Sequence, residues 1–248
     1  MEVICLLYCW IWNYPVETII HELSISSKTY TSYTKYFREL CCMFSEMYKN
    51  DIIGGDWHVV QIDEICIGKR KYNIGRLPAH SQKWFFGGID LETKNVFYVY
   101  VPNRKSETLL EKIQEHIHPG SIIMSDGWKG YNTVGEKYDH ATVNHHKEFV
   151  EQNLGINTQT IEAINSCVRK LLKRNGTHLQ GKHLNLYFGE YVWRKKNAQS
   201  NDVFETFLFD WAALIKKKQR NIKVISFFLK KNNFDKQYKK WCKKQTKY

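Results

Sequence analysis

Three β-rich runs separated by turns constrain this chain more than any other feature. They are Val59–Ile67, Trp84–Ile89 and Val96–Val101. Consecutive runs of this kind, linked through 69–82 and 92–95, predict an antiparallel meander. A helix follows over Glu107–His116, with Leu109, Leu110 and Ile113 inward and Pro119-Gly120 ending it. Ser121–Met124 reads as a short buried strand and Ala141–Val143 as another. From Gln159 a second helix sets Ile161, Ile164, Val168, Leu171 and Leu172 on one face.

Three meander strands, then helix and strand in alternation, then a late helix, is the element order of a ribonuclease-H-like α/β core, a mixed sheet flanked by helices. Three segments are expected: a helical region over 1–55, the core over 56–215 and a basic extension over 216–248. In the first, the apolar stretch Val3–Trp12 reads as a buried helix rather than a signal peptide, because Glu2 precedes it and no small-residue cleavage site follows. Pro15 opens a helix over Val16–Leu23, and a polar break over 24–27 precedes another from Lys28 to about Lys49. Two helices joined by a short turn suit a helix-turn-helix. The extension carries thirteen Lys and Arg against one acid, Asp235, with aromatics interleaved.

The whole chain has 37 Lys and Arg against 25 Asp and Glu, a net charge of +12, which points to a polyanion, either nucleic acid or an anionic membrane surface. A hydrophobic fraction of 43% excludes a disordered chain. No apolar run approaches the roughly 18 residues a membrane span needs. Seven cysteines without a CxxC pair imply reduced core thiols and a reducing compartment. The expected location is the nucleus in a eukaryotic host and the cytoplasm otherwise, not the exterior.

The acids with the strongest claim to chemistry are Asp63, within the first strand, Asp126, just after the 121–124 strand, and Glu162, on the first turn of the late helix. Strand ends and a helix face can bring three carboxylates to one point. Such a cluster suits two Mg2+ or Mn2+ ions, since hard divalent cations prefer oxygen ligands. Two metals about 4 Å apart can activate an attacking oxygen and stabilise a leaving oxygen on phosphorus. The spacing, 62 and 35 intervening residues, is weak on its own: with 25 acids in the chain, some pair at the second interval is nearly guaranteed.

Local context carries more. The residues are Val60–Glu64; Gly68–Asn73 with Gly75-Arg76; and Trp84-x-Phe86-Gly87-Gly88-Ile89. They continue with Pro119-Gly120-Ser121, Ser125-Asp126-Gly127-Trp128-x-x-Tyr131 and His140-x-Thr142-Val143-Asn144-His145. Thr158–Glu162 and Tyr191–Arg194 close the series. Over about residues 15–195 this order resembles the Merlin superfamily of cut-and-paste DNA transposases and its bacterial ISXO-type insertion-sequence relatives. The resemblance implies a ribonuclease-H-like core, catalytic and metal-binding carboxylates at Asp63, Asp126 and Glu162, a two-metal Mg2+ or Mn2+ site, and DNA strand cleavage and transfer. It also implies double-stranded DNA partners, the terminal inverted repeats and the target, and homo-oligomeric assembly. Family members often carry Lys at the position of Arg169 and Trp at that of Asn165. Relatives commonly begin with a zinc ribbon of paired cysteines, whereas this sequence begins within the helical part, as in a truncated or domesticated copy.

DNA contacts are expected from Lys28 and Tyr30 at the start of the second helix, from Lys69, Arg70, Lys71 and Arg76 on the loop after the first strand, and from Arg169 and Lys170 on the late helix. Solvated charge is the plain alternative for the basic residues of the loop and of the late helix, and structural packing for the start of the second helix. Glu64 alternates to the face opposite Asp63 and reads as structural. Asp90 and Glu92 read as solvated turn acids. His140, His145 and His146 have no cysteine spaced for zinc and read as a strand cap or as residues approaching DNA. Lys217-Lys218-Gln219-Arg220 matches a nuclear import signal, a pattern common by chance. Two other functions compete: a non-catalytic DNA-binding descendant of a transposase, which would not need the acids, and a ribonuclease, against which the helix-turn-helix argues.

Overall fold

The computed structural model of the chain describes residues 2–47, 52–68, 82–143, 158–174 and 181–218. Three helices come first: α1 (Glu2–Ile11), α2 (Val16–Glu22) and α3 (Ser27–Met47). Ser26 starts α3 by accepting the Thr29 amide on its hydroxyl at 3.0 Å, which satisfies one of the orphan donors of a first turn. Then come β1 (Val59–Ile67), β2 (Lys83–Asp90), β3 (Val96–Val101), α4 (Ser106–His116), β4 (Ile122–Asp126), β5 (Asp139–Val143), α5 (Gln159–Arg174), α6 (Gly181–Lys196) and α7 (Val203–Lys218).

The strands form one five-stranded sheet in the order β3-β2-β1-β4-β5. β1, β2 and β3 pair antiparallel as the meander requires, and β4 and β5 add in parallel. This is the ribonuclease-H-like arrangement expected from the element order. Alternation along β1 divides the core. Val60 and Ile62 point to one face, where they pack with Phe86, Phe97, Ile123, Leu109 and Ile113 of α4. Ile65 points to the other, with Phe85, Val168 and Leu172 of α5, and Leu184 and Phe188 of α6. Of the expected α5 stripe, Ile161, Ile164, Val168 and Leu172 are buried and Leu171 is half-buried.

Packing groups Met1–Val203 into one unit and Phe204–Tyr248 into another. The first three helices, expected as a segment over 1–55, fall in the same unit as the sheet, with α3 packed on α6. Arg38 on α3 and Glu190 on α6 form a buried ion pair at 2.7 Å. The same Glu190 accepts Arg194 Nε at 2.9 Å, and Arg194 donates to the carbonyls of Ile11 and Trp10 at the end of α1, at 2.7 and 3.0 Å. α3 and α6 approach so closely that a Cβ on Gly189 would meet Cys42 Sγ at 2.3 Å. Within the second unit the described residues end at Lys218, so the basic extension beyond it lies outside them. No described helix is long and apolar enough to cross a membrane.

Candidate active site

β4 runs parallel to β1 with Gln61 opposite Met124. That is the last pair of the ladder; Asp63 and Asp126 follow two residues further along each strand, near enough for the Asp126 charge to act on the Asp63 carboxyl. Residues two apart on a strand share a face, so both acids lie on the face that Gln61 occupies. That face is covered by α5: Gln61 Oε1 accepts the Ile161 amide at 3.0 Å. Glu162 sits exposed on the first turn of α5, with its Oε1 accepting the Thr158 hydroxyl at 3.0 Å.

Asp63 is held at both oxygens. Oδ1 accepts the Glu64 amide at 2.7 Å and Oδ2 accepts Asn165 Nδ2 at 2.8 Å. Asn165 is in turn fixed by the Tyr98 hydroxyl, which donates to its Oδ1 at 2.6 Å. The Tyr98 ring reaches this point by lying across Gly87, the β2 neighbour of both residues. A Cβ on Gly87 would come within 2.4 Å of that ring, so the row Asp63–Gly87–Tyr98 needs glycine in the middle. Burial pushes the Asp63 carboxyl up from 3.8 to about 6; the neighbouring Glu64 and Asp126 charges add to this, and the bonds from the Glu64 amide and Asn165 oppose it.

These carboxylates fit a hard divalent cation in donor chemistry. The set is all oxygen, and each Asp63 oxygen keeps a lone pair beyond the one bond it accepts. They do not close into a tight trio. Among the described residues, the trio of ligating side chains with donor atoms within 4.8 Å of one another is His58, Asp90 and Glu92.

Asp90 corrects the reading of a solvated turn acid. It is fully buried. Its Oδ1 accepts the Glu92 amide at 2.9 Å, and its Oδ2 accepts the Thr93 hydroxyl at 2.6 Å and lies 3.0 Å from His58 Nδ1. Asp90 thus ties the β2–β3 turn to the residue before β1. Glu92 is exposed as expected. His140 bonds across the sheet, its Nε2 2.8 Å from Ser125 Oγ.

Of the residues expected at DNA, Lys28 is exposed and Tyr30 half-buried at the start of α3, and Arg169 and Lys170 are exposed on α5. Lys69, Arg70, Lys71 and Arg76 lie outside the described residues, as do His145 and His146. Sequence reasoning missed Gln61, Tyr98 and Arg104. A polar signal was present for the first, since a glutamine inside the run Val59–Ile67 must find a partner once the strand is buried. Asn165 stood out only as a departure from its relatives, and it is the residue that holds Asp63.

The family described as the ISXO2-like transposase domain matches residues 55–196. An uncharacterized transposase-like protein of Haemophilus influenzae is 34% identical over 105 residues, which is 42% of this chain and 83% of that protein. Among solved structures, a chain of the simian T-cell lymphotropic virus intasome, in complex with a PP2A regulatory subunit, is similar at 16% identity and a TM-score of 0.38. It aligns with 58% of this chain, which spans 50% of that one. The integrase catalytic core of HTLV-2, in complex with magnesium, is similar at 15% identity and a TM-score of 0.34 over 56% of this chain and 84% of that one. With the match covering more than half of its length, and the sheet and its acids inside that match, this chain belongs to the family of the ISXO2-like transposase domain.

Proposed function

We propose that the protein is a metal-dependent DNA transposase that cleaves and joins phosphodiester bonds with Asp63, Asp126 and Glu162 as its catalytic carboxylates. The observation that carries this reading is the placement of Asp63 and Asp126 two residues beyond the last β1–β4 pair, on one face and within electrostatic reach of each other, in a chain of a transposase family. Asp63 and Asp126 would hold Mg2+ or Mn2+, with Glu162 completing the set from α5. Divalent ions there supply activation of the attacking oxygen and charge stabilisation of the leaving one. The chain's own part is orientation. Asn165 and the Glu64 amide fix the plane of the Asp63 carboxylate, and the Trp128 amide holds Asp126 Oδ1 at 3.1 Å. Arg169, seven residues after Glu162, and Lys170 offer positive charge to a DNA phosphate. The partners proposed are double-stranded DNA ends, target DNA and further copies of this chain, in the nucleus of a eukaryotic host or in the cytoplasm.

One observation favours a second reading, a DNA-binding protein without catalysis: the Glu162 carboxylate is engaged by Thr158 and forms no tight trio with the other two. The two readings separate in one assay. The full chain is incubated with Mn2+ or Mg2+ and DNA ends taken from the sequence flanking the gene. The catalytic reading expects nicked or joined products from the wild type and none from Asp63→Asn, Asp126→Asn or Glu162→Gln, each still binding DNA. Binding without products from the wild type leaves the non-catalytic reading. Wild-type cleavage by Glu162→Gln removes Glu162 from the set.

A further inference from the structure

We propose that Arg104 is a positioning residue for Asp126, acting through Trp128 and anchored by Glu64; this rests on the metal-carboxylate reading above. Arg104 lies in the link between β3 and α4. That link is tightened by Asn103, whose Oδ1 accepts both the Lys105 amide and the Thr108 hydroxyl at 2.9 Å. The Arg104 guanidinium lies over two indole rings, 4.4 Å from the Trp84 centroid and 4.1 Å from that of Trp128. Its Nη2 donates to Glu64 Oε2 at 3.1 Å.

Both ends of this chain of contacts return to the acids. Glu64 follows Asp63 and donates its amide to it at 2.7 Å. Trp128 follows Asp126 by two residues and donates its amide to it at 3.1 Å. The Trp128 indole is seated over Gly130, where an added Cβ would meet ring atom Nε1 at 2.6 Å. A path from Asp63 to Asp126 thus runs through Glu64, Arg104 and Trp128, on the face of β1 opposite the acids. Arginine suits the place because one planar cation can stack on aromatic faces and pair with a carboxylate at once, which an ammonium cannot. The cluster is also costly. Arg104 Nε is buried with no hydrogen-bond partner among the described residues, and the buried Tyr131 hydroxyl faces the Glu64 carboxylate. Buried polar atoms are usually satisfied, and such departures gather where a structure serves a site.

The test is Mn2+ binding by the full chain, read from the electron paramagnetic resonance signal of free Mn2+, with melting in metal-free buffer alongside. Arg104→Met is expected to weaken Mn2+ binding by about ten- to a hundred-fold, the range for residues that orient ligands. Trp128→Leu, at a partly exposed position that keeps the core intact, is expected to weaken it in the same direction, and Trp128→Phe to restore most of it. Should Arg104→Met fail to fold, the Trp128 pair decides alone. Wild-type Mn2+ affinity in Arg104→Met or in Trp128→Leu, whatever happens to melting, overturns the proposal while leaving the metal site standing. A wild type that binds no Mn2+ removes the metal reading and this inference with it.

Discussion

Asn165 and Tyr98 act as a pair. Asn165→Leu leaves both the Tyr98 hydroxyl and Asp63 Oδ2 short of a partner, and a buried polar group so orphaned costs about 1–3 kcal/mol. Tyr98→Phe alone costs less, and the double variant should cost less than the two singles summed, because the shared bond is lost once. Urea denaturation of the four proteins measures this; strict additivity would separate the two residues. His58 and Asp90 give a second test, in pH. The hydrogen bond to Asp90 raises His58 above its ordinary 6.5. That contribution is complete below the unfolded value and fades as pH rises through the folded one. For Asp90, burial alone would raise the carboxyl, but bonds from Thr93, His58 and Glu92 outweigh it and bring it from 3.8 to about 2. Its contribution is therefore present above 3.8 and fades as pH falls toward 2. The melting temperature should fall on going from pH 6 to pH 8, and His58→Gln should flatten that fall. An undiminished fall in the variant would assign it to other groups.

At the scale of elements, the first turn of α5 depends on a strand. Gln61 reaches from β1 to accept the Ile161 amide in a buried setting, so Gln61→Leu leaves an orphan donor beside Glu162. The expected loss is about 1–3 kcal/mol, and amide exchange at Ile161–Ile164 should quicken more than in the rest of α5. Uniform protection along α5 would mean that Gln61 is not its cap. The strands were legible as short β-branched and aromatic runs bounded by turns, and those of β1 and β2 are buried on both faces; the α5 stripe was legible as a period of 3.6. Asp90 was not, since a turn acid looks the same in sequence whether solvent or His58 faces it. Arg104 was hidden for a related reason: in Pro102-Asn103-Arg104 it reads as a loop charge, and the two indoles it lies over come from positions 84 and 128. The acids at 63 and 126 were readable as candidates, but their placement on one face, two residues past the last β1–β4 pair, needed the parallel register of the two strands.

Over the whole molecule, the first three helices are joined to the sheet-bearing part through a buried charge. Arg38→Met leaves Glu190 with Arg194 alone, and removing one partner from a buried pair costs at the lower end about 3 kcal/mol. The melting temperature should drop, and calorimetry should still show the first three helices and the sheet melting in one transition. Separate transitions would mean that α3 and α6 are not locked. Under the transposase reading proposed above, the lock has a geometric meaning. If α3 grips DNA while β1 and β4 carry the cutting acids, Glu190 makes the two parts a ruler rather than a pair of hands on a tether. The distance from grip to cut is then a fixed number of base pairs. Inserting half a helical turn, about 5 base pairs, between the gripped sequence and the cleavage point would put the scissile bond on the wrong side of the duplex, and a floppy join would tolerate the same insertion.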